Sequence, residues 1–135
     1  MHILICTSSA TAAGRKLQRR LRTSTGVEHC DLFTSVASLN TRLRRPMRPA
    51  AIGILIPGHA RDLLCFAAMR HLMGDMRIVL VLPDSRPQTI SDGHALHPRF
   101  ISYADSDLKD VEAVVAKMVA TLQGRRSLAT AETAG

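Results

Sequence analysis

Apolar and polar positions alternate along this chain in blocks, and the blocks switch period. HILIC (2–6) is a short, continuously apolar run, followed by the polar small-residue stretch TSSATAAG. In RKLQRRLR, Leu17 and Leu21 stand four apart among basic residues, which predicts an amphipathic helix. VEHCDLF (27–33) alternates as a half-buried strand, and Val36, Leu39 and Leu43 recur at helical spacing until Pro46 and Pro49. AAIGILIPG (50–58) predicts a wholly buried strand closed by a Pro-Gly turn. ARDLLCFAAMRHLMGD is long enough for one helix, with Gly74 as its stop. MRIVLVLPD (76–84) is the clearest strand. RPQTISDG leaves room for a short helix, and RFISYAD (99–105) predicts a fifth strand. Val111, Val114, Val115, Met118 and Leu122 then form the stripe of a closing helix, with Asp105, Ser106 or Asp107 available to cap it.

Five strand–helix units with continuous apolar strands predict a parallel sheet covered by helices on both faces. Right-handed crossovers make it a doubly wound α/β fold in the flavodoxin-like order 2-1-3-4-5. One domain over residues 1–124 is expected, with 125–135 as a flexible tail lacking apolar periodicity. In such sheets ligands bind beyond the carboxyl ends of the strands, which directs attention to TSSATAAG, PGHARD, PDSRPQ and YADSD.

At this point the chain resembles a bacterial response-regulator receiver domain over about residues 1–123. The resemblance rests on the length and order of its units, with PGHARDLLCFAAMRHLMGDMRIVLVLPD and the fifth strand with its closing helix as the best local matches. It implies a signalling role. It also implies a set of residues: adjacent acids after the first strand to hold Mg²⁺, an Asp ending the third to accept a phosphoryl group, a Ser or Thr after the fourth and a Lys after the fifth. The corresponding positions read Cys6-Thr7-Ser8, Leu55-Ile56-Pro57, Pro83-Asp84-Ser85 and Tyr103-Ala104-Asp105. Ser85 alone matches. Magnesium needs hard oxygen ligands and aspartyl phosphate needs a carboxylate nucleophile. The expectation is therefore a receiver-like domain that is not phosphorylated on aspartate and works as a signalling or scaffolding module, without catalysis or cofactor.

Composition trims the alternatives. The 135 residues suffice for one core without disulfides or metal. Aromatic residues make up 3% and Trp is absent, which disfavours base-stacking platforms for single-stranded nucleic acid and leaves flavin without its usual aromatic neighbours. Cys6, Cys30 and Cys65 include no CxxC pair and sit in or beside apolar runs, as buried thiols of a reducing, cytoplasmic compartment would. No signal peptide or membrane-length apolar run is visible.

The net charge of +7 arises in residues 1–50, where nine basic side chains face only Glu28 and Asp31. Arg15, Arg19 and Arg22 on the first helix form either an ordinary solvated face or a candidate partner-binding face for acidic protein, nucleic acid or anionic lipid. Nucleic-acid binding through this helix stays open as an alternative function. Cys6 followed by Thr7, Ser8, Ser9 and Thr11 is similar to the phosphocysteine loop of sugar-phosphotransferase IIB domains, so a Cys6 phosphoryl carrier with an anion-binding loop stays open as an alternative. His59 has only Asp62 as a nearby acid. His94 and His97 would need one helix to carry both before they could share a metal. Finally, Ile90, Leu96 and Phe100 surround a helix that looks too short to cover them. With Ala113, Lys117 and Ala120 on the closing helix they make a candidate homodimer face.

Overall fold

The computed structural model describes residues 2–8, 11–45 and 51–134, with backbone alone for Thr11 and 125–134. Its strands are β1 (His2–Thr7), β2 (His29–Phe33), β3 (Ile52–Ile56), β4 (Arg77–Leu82) and β5 (Phe100–Tyr103). The helices are α1 (Thr11–Thr25), α2 (Val36–Leu43), α3 (Asp62–Ala68), α4 (Arg70–Met73), α5 (Pro87–His94) and α6 (Lys109–Ala134). All pairings are parallel and the sheet order is β2-β1-β3-β4-β5, as the block pattern predicts.

Period-two alternation sorts the strand residues into two cores. Ile3, Ile5, Ile52, Ile54, Ile56, Val79 and Val81 face α1 and α6, where Leu17, Leu21, Val111, Val115 and Val119 meet them. Leu4, Cys6, Leu55, Ile78, Leu80 and Leu82 face the other way, against Leu39, Leu63, Phe66, Met73 and Leu96. Both sides of the central strands are therefore apolar. This is why their sequences run without polar interruption.

Several local expectations change. The first helix starts at Thr11, so Gly14 belongs to it and not to a loop. A Cβ at residue 14 would lie 2.7 Å from Thr7 Cγ2 and 3.0 Å from Leu32 Cδ1. The glycine is a notch that lets α1 lie close on the sheet. The long apolar helix is broken at Met69 into α3 and α4, and Gly74, at φ 56°, follows the end of α4. The stops expected at Pro46 and Pro49 lie outside the described residues; α2 ends at Leu43. α6 is capped by the Asp107 carboxylate, which accepts from the Lys109 amide at 3.0 Å. Its buried stripe is Val111, Val115 and Val119, with Met118 and Leu122 packed at the margin. The helix then runs unbroken through the expected boundary at 124 to Ala134, along a stretch rich in helix-forming Ala and Arg.

At the amino ends of β1 and β2, His2 and His29 are register partners and their rings stack, with centroids 4.4 Å apart and planes at 11°. Burial first, then the charge of His29, lowers the pKa of His2. Arg42 and the amino terminus act in the same direction, and Asp31 opposes them. The fold thus prefers neutral His2, so its contribution to stability is present above the ordinary histidine value and is lost as pH falls through the lowered one. Melting temperature is expected to drop on acidification from pH 7 to 5, and less so in His2→Phe, which keeps the ring and cannot take a proton. An equal drop in both proteins would remove His2 as the cause.

Candidate functional site

The carboxyl ends of β1, β3 and β4 are where a doubly wound sheet offers a site. At β1, Thr7 is buried, with its methyl against α1 and its hydroxyl without a hydrogen-bond partner among the described residues. Ser8 follows and turns toward β3. Its hydroxyl donates to Asp62 Oδ2 at 2.7 Å and accepts from the Gly58 amide at 2.7 Å, while its own amide donates to the Ile56 carbonyl at 3.3 Å. One serine thus bridges the ends of two strands and the first residue of α3. Asp62, the only acid near His59 in the sequence, is engaged by this hydroxyl. β3 itself ends in Ile56, followed by Pro57, both buried.

The loop after β4 is also self-contained. The Asp84 carboxyl is held below the usual carboxylate range by the Thr89 hydroxyl and then by the Arg86 amide, which donates to Oδ1 at 3.0 Å. Ser85, exposed beside Asp84, shares with Tyr103 and Asp105 a cleft of about 360 Å³. Among the described residues, no three His, Cys, Asp or Glu side chains gather closely enough to hold a metal ion. His94 closes α5, whereas His97 lies beyond it at φ 51°, so one helix does not carry both.

Cys6 lies fully buried on the opposite face of β1 from α1, its Sγ donating to the Ser35 carbonyl at 3.6 Å. Burial pushes its thiol up to about 12. A nucleophilic cysteine needs the reverse, a thiolate stabilised at the surface. Of the proposed anion loop, Thr7 is buried and Ser8 is committed internally, while Ser9 and the Thr11 side chain lie outside the described residues. Cys30 is also buried and pushed up to about 11, chiefly by burial, but Cys65 is exposed on α3, contrary to the expectation of three buried thiols.

On α1, Arg15, Arg19 and Arg22 are exposed, and Arg22 donates to the Cys30 carbonyl at 3.2 Å. The sequence reading missed their neighbours. Lys16 and Arg20 edge a groove of about 240 Å³ floored by Leu17, Ile56, Val81 and Leu108, and Arg20 reaches the Asp107 carbonyl at 3.4 Å. The pairing of α1 with the loop before α6 joins residues 87 apart in the chain, which no local pattern could reveal.

The candidate homodimer face needs correction. Leu96 is 0% exposed, packed in the core cluster with Leu80, Leu82 and Phe66, because the turn after α5 folds it back under the helix. Ile90 and Phe100 pack half-buried against the two cores, and only Ala113, Lys117 and Ala120 stand exposed. Among the described residues no helix is long and apolar enough to cross a membrane.

Solved structures share this arrangement. A response regulator from Burkholderia pseudomallei, determined with a phosphorylated aspartic acid, calcium ion and citrate, superposes with TM-score 0.67 at 11% identity, over 95% of this chain and 74% of its own. The fold is that of receiver domains. A pilus assembly protein (cpaE) from Burkholderia thailandensis is similarly close, with TM-score 0.67 and 17% identity over 90% of this chain and 98% of its own. A response regulator from Thermotoga maritima gives TM-score 0.62 at 10% identity, over 89% of this chain and 99% of its own. No family model and no curated protein matches the chain. The receiver-like similarity is thus one of architecture, carried by the five-stranded parallel sheet and its order.

Proposed function

We propose that this receiver-like domain is a pseudo-receiver: a signalling or scaffolding module that binds a protein partner and is not phosphorylated on aspartate. One observation carries the reading. Where a phosphorylatable receiver gathers acids around the ends of its first and third strands, Ser8 here closes a bridge to Gly58 and Asp62, and β3 ends in Ile56, followed by Pro57. The residues present do not fit a magnesium site. Asp62 is a single carboxylate already engaged by a hydroxyl, whereas Mg²⁺ asks for an octahedron of hard oxygens. In this reading the partner meets the exposed cations of α1, Arg15 and Arg19 with Lys16 and Arg20 beside them. That surface suits an acidic protein face.

Incubation with acetyl phosphate and Mg²⁺ is expected to leave the intact mass of the protein unchanged. Acid-labile addition of one phosphoryl group, removed by hydroxylamine and abolished by Asp62→Asn, would overturn the reading.

A further inference from the structure

At the end of the sheet opposite the Ser8 bridge, three arginines converge. Arg77 opens β4, and Arg99 precedes β5, its amide donating to the Ile78 carbonyl at 2.7 Å. Arg70 on α4 is held by two carbonyls, with Nε donating to Leu96 at 2.9 Å and Nη1 to Gly74 at 3.0 Å. Together with Asp75 and His97 they wall a polar cleft of about 350 Å³. A second cleft of about 340 Å³ lies on the other side of the Arg77–Arg99 pair, walled by Val114, Lys117, Met118 and Thr121 of α6. Arg77 and Arg99 line both clefts, which differ in character: one is polar and cationic, the other mainly apolar.

Four cations, Arg70, Arg77, Arg99 and Lys117, therefore face one acid, Asp75. The side chains of Arg77 and Arg99 have no hydrogen-bond or ion-pair partner among the described residues. Like charges gathered around one cleft repel one another, and a bound anion offsets the repulsion. Guanidinium forks match phosphate oxygens two at a time, and the flat face of the same group stacks on an aromatic ring. Arg70, already fixed by its two carbonyls, pays little entropy to bind.

We propose that this amino-end cluster is a nucleotide site. The phosphates lie in the polar cleft against Arg70, Arg77 and Arg99, and the base lies in the apolar cleft over Val114 and Met118, with Lys117 at the rim. Phosphate alone would leave the apolar cleft unused, and an apolar ligand alone would leave the arginines unpaired. A nucleotide satisfies both halves. The site is built from residues separate from the Ser8 bridge and stands whether or not the pseudo-receiver reading does.

The test is calorimetric titration at low salt with ATP, adenosine and pyrophosphate, with amide chemical-shift mapping of the ATP complex. ATP is expected to bind saturably and to shift residues 74–77, 97–99 and 114–121. Adenosine and pyrophosphate should each bind more weakly by about tenfold or more. Arg77→Ser/Arg99→Ser should weaken ATP by at least about tenfold with an unchanged circular dichroism spectrum; Lys117→Ser, on an exposed helix face, serves as the second variant. The proposal fails if millimolar ATP gives no saturable signal, or if the substitutions leave its affinity unchanged. It also fails if pyrophosphate matches ATP, or if single-stranded oligonucleotides bind more tightly with increasing length.

Discussion

Leu96→Glu is expected to unfold the protein, whereas Ala120→Arg is expected to leave it folded. On the sequence these two substitutions are equivalent probes of one exposed face. In the structure Leu96 has no exposure and packs with Phe66, Leu80 and Leu82, while Ala120 lies exposed on α6. Removing a buried leucine side chain costs about 2–5 kcal/mol through lost burial and the cavity left behind. A carboxylate in its place adds several more, because Phe66, Leu80 and Leu82 offer it no donor. The total rivals the ~5–15 kcal/mol that holds a typical domain together. Exposed positions such as 120 change stability by about 0.5 kcal/mol or less. Circular dichroism and urea unfolding of the two variants decide the matter. A folded Leu96→Glu with a midpoint near wild type would place Leu96 outside the core.

Thiol chemistry should divide the three cysteines sharply. With Ellman's reagent at pH 7.5, one equivalent is expected to react within minutes, at Cys65 on the exposed face of α3. Cys6 and Cys30 should stay silent until the protein is denatured. Their pKa values, raised to about 12 and about 11 by burial, leave only a trace of thiolate at that pH, and the reagent must also wait for the sheet to open. The contrast in rate should reach roughly a thousandfold or more, since reactivity follows the thiolate fraction and access together. Cys65→Ser should abolish the fast phase. Rapid modification of Cys6 in that variant would show an accessible thiolate and revive the phosphoryl-carrier reading.

The order of elements was legible because each central strand is buried on both faces, so Ile52–Ile56 and Arg77–Leu82 stand out as apolar runs between turns. What stayed hidden depends on contacts between distant residues. Leu96 lies just past a helix, where neither period applies, and its burial depends on how the turn folds back onto β4. Gly14 looks like loop material, yet it marks a close approach of α1 to β1. The pairing of Ser8 with Asp62 joins residues 54 apart. Counting charge concealed the arginine cluster as well. The last 85 residues balance to zero, but four of their nine acids crowd into residues 105–112 while Arg70, Arg77 and Arg99 meet around one cleft. The absence of acids at the ends of the first and third strands was readable directly, residue by residue.

The Ser8 bridge has a consequence for how information could pass through the domain. A switch needs two arrangements of similar free energy and an input that chooses between them. Here the contact joining β1, β3 and α3 is made by the chain's own hydroxyl, amide and carboxylate, and requires no added group to close. Under the pseudo-receiver reading, such a molecule carries its message by being present. One variable a cell can adjust is then the number of copies available to compete for a partner, which synthesis and turnover set.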